Sequence, residues 1–97
     1  MTPRFVEQVF LSRNAGAVEA LLVLEDEAGA RSRERFPIST ASDFGDAARW
    51  LARMLARRGV RPARKVRLRV GQGEQLRDAP ELLGLFLAEW RGSGEDD

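Results

Sequence analysis

Few residues of this chain could carry out catalytic chemistry. The 97-residue sequence contains no histidine and no cysteine, and Lys65 is its only lysine. The usual general base, the usual zinc ligands and a thiolate nucleophile are therefore excluded. Carboxylates, hydroxyls and Lys65 are the groups left that could exchange protons with a substrate or attack it.

The carboxylates and hydroxyls lie where ordinary structural roles account for them. The acidic residues 25–27 immediately precede an Ala-Gly pair, which is typical of a solvated hairpin turn, and they lack the spacing of a calcium loop. Thr40 and Ser42 precede a helical pattern, where their hydroxyls can cap the helix. Lys65 lies within a run of arginines. We therefore expect a protein that is not an enzyme and that needs no metal and no cofactor.

A Gly-Gln-Gly segment at residues 71–73 follows a strand pattern and precedes a helical one, the setting of a phosphate-binding loop. It lacks the third glycine and the Lys-Ser/Thr pair of such loops, and Glu74 and Asp78 would repel a phosphate. We interpret it as a flexible connection.

The distribution of arginine is the most informative feature of the charge pattern. The net charge is only +1, and 15 of the 16 basic residues are arginine. Residues 49–69 hold nine basic residues and no acidic one, whereas the segments on both sides are acidic overall. Guanidinium groups suit phosphate and carboxylate partners. The basic residues that could form a nucleic-acid-binding surface are Arg49, Arg53, Arg57, Lys65, Arg67 and Arg69.

Hydrophobic periodicity predicts four strands. Residues 4–12, 17–25 and 30–38 are strand-like and are separated by turn-forming segments, so they predict an antiparallel meander. Residues 17–25 are apolar on both faces, which is typical of a central strand. Residues 64–70 form a fourth strand that alternates valine and leucine with lysine and arginine.

Two helices complete the predicted secondary structure. Residues 43–58 carry an apolar stripe with arginines on the opposite face and Trp50 between the two, and Gly59 is a natural C′ residue. The second helix opens at residues 78–80 and ends at Gly92, and residues 93–97 form a short acidic tail that we expect to be disordered.

These elements predict a single α+β domain over residues 1–92. The order is β-β-β-α-β-α, with an antiparallel-rich sheet, both helices on one of its faces, and arginine rows from the third and fourth strands on the other. In element order alone, this resembles the opening of ribonuclease-H-like folds, including the reduced versions in HicB-type antitoxins. The strands lack the inward acidic residues that the nucleases need, so the resemblance implies no family and no function.

The second helix is more apolar than the core of a small domain requires. Its large apolar side chains cover at least about 140° of its circumference, so they serve either the core or an interface. Aromatic residues contribute most to interface energies. The residues that we expect to serve an interface are Trp50, Leu83, Phe86, Leu87 and Trp90.

The sequence thus predicts a small interaction domain that binds a protein partner, or forms a homodimer, through its C-terminal helix. The alternative is a nucleic-acid-binding or antitoxin-like regulator that uses the arginine-rich segment 49–69. Its longest apolar runs, residues 20–24 and 82–88, are far too short to span a membrane, and its first residues do not resemble a signal peptide. We therefore expect a cytoplasmic protein without a membrane partner.

Overall fold

The computed structural model describes residues 3–14, 16–38, 43–71 and 73–94. They form one five-stranded mixed sheet and two helices, which confirms the α+β class and the predicted order of the long elements. The elements are β1 (Arg4–Asn14), β2 (Ala17–Asp26), β3 (Arg31–Ile38), α1 (Phe44–Arg57), β4 (Val60–Val70), β5 (Arg77–Asp78) and α2 (Pro80–Gly94). The short β5 follows the Gly-Gln-Gly connection, and β4 begins earlier than the predicted residue 64.

The sheet has the strand order β3-β2-β1-β4-β5. All neighbouring strands are antiparallel except β1 and β4, which are parallel because α1 carries the chain across the sheet between β3 and β4. Strand β1 is therefore central, and β3 and β4 are separated by two strands. The arginines of β3 and β4 consequently lie at opposite margins of the sheet.

A β-bulge in β1 decides which of its side chains face the helices. The pairing of β1 with β2 shifts register between Val6 and Gln8, so Glu7 is an extra residue in the strand. Strict alternation would place Phe5 and Phe10 on opposite faces of the sheet. The extra residue shifts the alternation by one position after Val6, so both rings lie on the face away from the helices.

Both helices pack on the other face of the sheet, as predicted. Alternate residues of β1 and β2 point towards them, and the largest fully buried side chains include Leu22, Leu24 and Leu51. The strands supply most of the core cluster. Its strand members are Val6, Val9, Leu11, Val18, Ala20, Leu22, Leu24, Ile38, Val60, Val66 and Leu68.

Helix α1 begins and ends with well-formed caps. Asp43 is the N-cap, and its Oδ1 accepts a hydrogen bond from the backbone N–H of Asp46 at 2.7 Å. The predicted caps, Thr40 and Ser42, lie outside the described residues. Gly59 has a φ of +73°, the left-handed conformation expected of a C′ glycine.

The buried face of α1 is wider than the predicted stripe. Ala52 and Ala56 are also buried, with 1% and 9% of their surface exposed. On the opposite flank of the helix, Trp50 shares a cavity with Arg58, whose guanidinium stacks on Phe36 of β3. Because that flank lies towards β3, Ala52 and Ala56 face α2, which packs against α1.

Helix α2 extends two residues beyond its predicted end at Gly92, and residues 95–97 lie outside the described chain. Neither helix in the described ranges is both long and apolar enough to cross a membrane.

Candidate interaction surfaces

Helix α2 divides its apolar residues between the core and one exposed flank. Leu82 and Phe86 are each only 3% exposed and belong to the core cluster. Phe86, predicted to serve an interface, therefore offers no surface to a partner. Leu83, Leu87 and Trp90 are half-buried and lie on one side of the helix, which we call the α2 outer flank.

The α2 outer flank runs along an unpaired edge of β4. Leu83 shares a cavity of 210 Å³ with Lys65, and the guanidinium carbon of Arg61 lies 5.2 Å from the ring centroid of Trp90. Strand β5 pairs only with the later part of β4, so in the described chain no strand covers residues 60–65 on the side away from β1. Pro62 lies in this edge, where a residue without an N–H is tolerated.

Two residues of this flank are separate from the core. The core cluster includes Leu83 at its margin but, within the described residues, neither Leu87 nor Trp90. Trp50 is on the far flank of α1, so the predicted interface set lies in three places. Only the α2 outer flank presents several of its members together, and apolar side chains left without core contacts are available to a partner.

The charged residues around the α2 outer flank are mostly basic; Asp78, which lines the Leu83 cavity, is paired with Arg67. Arg64 and Lys65 are exposed on the β4 edge, and neither forms an ion pair within the described part of the chain. At the other end of the flank, Arg61 lines a cavity of 410 Å³ beside Trp90; Arg58 also borders this cavity, but its guanidinium lies over Phe36. The flank therefore combines an apolar centre with a cationic rim.

The predicted basic surface is divided between the two layers of the molecule. Arg49, Arg53 and Arg57 lie on the outer side of α1, where Arg49 is paired with an aspartate of its own helix. Arg67 and Arg69 lie on the sheet face that the helices leave open, and Lys65 is at the β4 edge. The helix row and the strand row therefore do not form one patch.

The open face of the sheet carries arginines at both margins. Arg31, Arg33 and Arg35 of β3 lie at one margin, and Arg67 and Arg69 of β4 lie at the other. Both rows were predicted for this face, but their separation follows from the strand order. Between them, β1 and β2 contribute a central zone of mixed character, in which Phe5, Phe10, Leu21 and Val23 share the face with Gln8, Ser12, Glu19 and Glu25.

Phe5, Phe10 and Leu21 occupy this central zone, and sequence reasoning missed the two rings. The three side chains are half-buried and do not join the core cluster of the described residues. The sequence signal was weak because alternation alone separates Phe5 from Phe10. The one feature of this zone that the sequence did predict is that β2 is apolar on both of its faces.

One cross-strand row brings the margins and the central zone together. Arg35, Leu21, Phe10 and Arg69 are successive partners across β3, β2, β1 and β4. The guanidinium carbon of Arg69 lies 4.7 Å from the ring centroid of Phe10, and its Nε is buried without a hydrogen-bond acceptor. These residues line a shallow depression of 330 Å³.

Acidic residues pair with three of the five marginal arginines, and Arg33 has no ion pair within the described chain. In each pair the closest contact is through Nε of the arginine. The pairs are Arg31 with Glu7 (Nε–Oε1, 3.0 Å), Arg35 with Glu19 (Nε–Oε1, 2.9 Å) and Arg67 with Asp78 (Nε–Oδ1, 3.6 Å).

The bulge residue Glu7 has a perturbed acidity. Burial raises the pKa of its carboxyl above the ordinary value of 4.5, and a hydrogen bond with Glu25 acts in the same direction, while the charge of Arg31 opposes both. The folded chain therefore binds this proton more tightly than the unfolded chain does. The carboxyl favours folding at pH values below 4.5, and this contribution is lost as the pH rises through the folded-state pKa.

Glu7→Gln is consequently expected to raise the melting temperature at pH 7, because it removes a buried charge and keeps a side chain that can hydrogen-bond to Glu25. The advantage should shrink as the pH falls to 4 and below. Thermal unfolding followed by circular dichroism at several pH values measures it. Glu27→Gln, in the exposed hairpin turn, is the control for net charge. A Glu7→Gln variant less stable than the wild type at pH 7 would show that the Arg31 ion pair outweighs burial.

No protein-family model, curated protein or solved structure matches the chain. Within the described ranges, no group of three or more acidic, histidine or cysteine side chains is arranged to hold a metal ion. The α2 outer flank and the open sheet face are therefore the features on which a functional assignment can rest.

Proposed function

We propose that the protein is a non-catalytic interaction domain whose α2 outer flank binds an acidic, partly apolar segment of a protein partner. The observation that carries this proposal is the placement of Leu87 and Trp90, which lie outside the core cluster next to an unpaired strand edge. A partner that covered them would gain about 25 cal/mol of binding free energy for each Å² of apolar surface buried. Trp90 is of the residue type most enriched among energetically dominant interface residues.

The charge around the flank favours an acidic partner over a second copy of the chain. In a two-fold dimer centred on Leu87, the Arg61 end of one copy would face the Lys65 end of the other. Like charges brought together at an interface are unfavourable. Carboxylates of a different protein would instead meet the free cations of the rim and form charge-assisted hydrogen bonds with them.

A photocrosslinking residue at position 87 tests the proposal. We expect it to join the chain covalently to one cellular protein with an acidic segment, which can then be purified and titrated calorimetrically. Leu87→Glu should abolish that binding, because it places a carboxylate in the apolar centre and towards an acidic partner. Ala28→Glu adds the same group at an exposed turn far from α2 and should leave the affinity unchanged. Binding that survives Leu87→Glu would contradict the proposal.

Light scattering over a concentration series, at low and high salt, tests self-association directly. We expect the mass of the 10.8 kDa monomer under both conditions. A dimer that persists in high salt and is lost in Leu87→Glu would show that the flank binds a second copy, and would refute the acidic partner.

The alternative, a nucleic-acid-binding or antitoxin-like regulator with segment 49–69 as one surface, is favoured less by the geometry. Its arginines face away from each other on the two layers of the molecule. A nucleic acid that followed the α1 row could not reach Arg67 and Arg69 without passing around the edge of the domain.

A further inference from the structure

The open face of the sheet has the composition of a stacking platform. The rings of Phe5 and Phe10 lie on the central strand, and the guanidinium plane of Arg69 stacks on Phe10. Nucleic-acid bases stack on aromatic rings and on arginine planes in the same way. Phe5 and Phe10 share one face of β1 with Gln8 between them, so each ring offers a separate position for an unpaired base.

The margins of this face offer cations at a regular spacing. Arg31, Arg33 and Arg35 recur at every second residue of β3, so their side chains leave the sheet about 7 Å apart. Arg67 and Arg69 repeat this spacing across the central zone. Because the ion pairs with acidic residues are closest through Nε, they hold the guanidinium groups in place while their terminal nitrogens can still donate to phosphate oxygens.

We infer that the open sheet face binds single-stranded nucleic acid, with one base stacked on Phe5, another on the stacked pair of Arg69 and Phe10, and phosphates held by the marginal arginines. A duplex fits less well, because its bases are already stacked on each other and a five-stranded sheet face is too broad for a groove. An acidic peptide would bind the arginines, but its binding would not require the aromatic rings of Phe5 and Phe10. The site is on the sheet face opposite the helices, and it adjoins the α2 outer flank only near Arg61, which pairs in register with Phe5 and whose guanidinium lies over Trp90.

Fluorescence anisotropy with a labelled oligouridine of about 12 nucleotides, within the usual range of single-strand site sizes, tests this inference. We expect saturable binding that weakens with added salt, and weaker binding of a duplex of equal length. Phe10→Leu keeps an apolar side chain but removes the ring, so the affinity should fall at least about fivefold. Phe5→Leu provides a second test of stacking, and circular dichroism verifies that both variants are folded.

A matched pair of arginine variants separates this face from general charge attraction. Arg33 and Arg53 are both exposed and unpaired within the described chain, but they lie on opposite layers. Arg33→Gln should reduce the slope of log affinity against log salt by about 0.7, whereas Arg53→Gln should not change it. Leu87→Glu should also leave oligonucleotide binding intact, so this inference and the proposed protein interface can fail separately.

Three results would overturn the inference. The first is the absence of saturable oligouridine binding. The second is evidence that any polyanion is attracted, seen either as equal affinity for the duplex or as equal loss of affinity in Arg33→Gln and Arg53→Gln. The third is displacement of the oligonucleotide by polyglutamate at the same charge concentration, which would assign the face to an acidic peptide.

Discussion

Phe86→Ala is expected to lower the free energy of unfolding by about 3–5 kcal/mol, a large part of the stability of a domain of this size. The side chain is 3% exposed and lies in the core cluster between α2 and the sheet. Its removal loses the transfer free energy of the ring and leaves a cavity that the surrounding strands cannot fully close. Urea unfolding measures the difference. If Phe86→Ala does not fold, the smaller truncation Phe86→Leu provides a measurable loss.

Leu82 and Leu87 form a matched pair for this prediction because they are the same residue type on the same helix. Leu82→Ala should cost about 2–5 kcal/mol, since the side chain is buried in the core. Leu87→Ala should cost less than about 1 kcal/mol, because the side chain is half-buried outside the core cluster. An equal cost at both positions would mean that Leu87 packs in the core in solution, and the proposed interface would lose its main support.

The division between Leu82 and Leu87 shows where periodicity stops being informative. Helix α1 has a charged face opposite its apolar stripe, so its orientation on the sheet could be predicted from the sequence. Helix α2 is apolar around more than half of its circumference, and no polar residue marks the boundary between core and surface. That boundary is set by how far the helix packs against β4, which depends on the tertiary structure and not on the sequence of the helix alone.

The strand elements were predictable from alternation, but the composition of the open face was not. A single extra residue, Glu7, shifts the alternation of β1 by one residue and places Phe5 and Phe10 on the same face. A bulge is a property of how two strands pair, so the sequence of one strand does not reveal it. The parallel pairing of β1 with β4 likewise results from the path of α1 across the sheet.

The charge cluster of residues 49–69 was visible in the sequence, but its division was not. The cluster begins in α1, passes through the turn at Gly59 and continues along β4. Because these two elements belong to different layers, arginines that are close in sequence point to opposite sides of the molecule. Basic residues from β3, far away in sequence, share a face with Arg67 and Arg69 instead.

Ala52→Leu is expected to destabilise the protein by about 1–3 kcal/mol, because the added atoms have no space between the helices. Ala52 is 1% exposed on the flank of α1 that faces α2, where small side chains allow the two helices to approach closely. This flank was missing from the predicted stripe, since alanine alone does not distinguish a close helix contact from an exposed position. The intrinsic helix propensities of alanine and leucine are similar, so the loss would report packing.

Ala48→Leu is the matched control, because Ala48 lies one turn earlier on the same side of α1 and is only half-buried. Helix α2 begins beside Val66, at the middle of β4. We therefore expect Ala48→Leu to change the melting temperature by no more than a few degrees, whereas Ala52→Leu should lower it by roughly 4–8 °C for each kcal/mol lost. Equal melting temperatures for the two variants would show that α2 is not held against Ala52. The α2 outer flank would then be displaced from the β4 edge, and the basic rim would no longer surround Leu87 and Trp90.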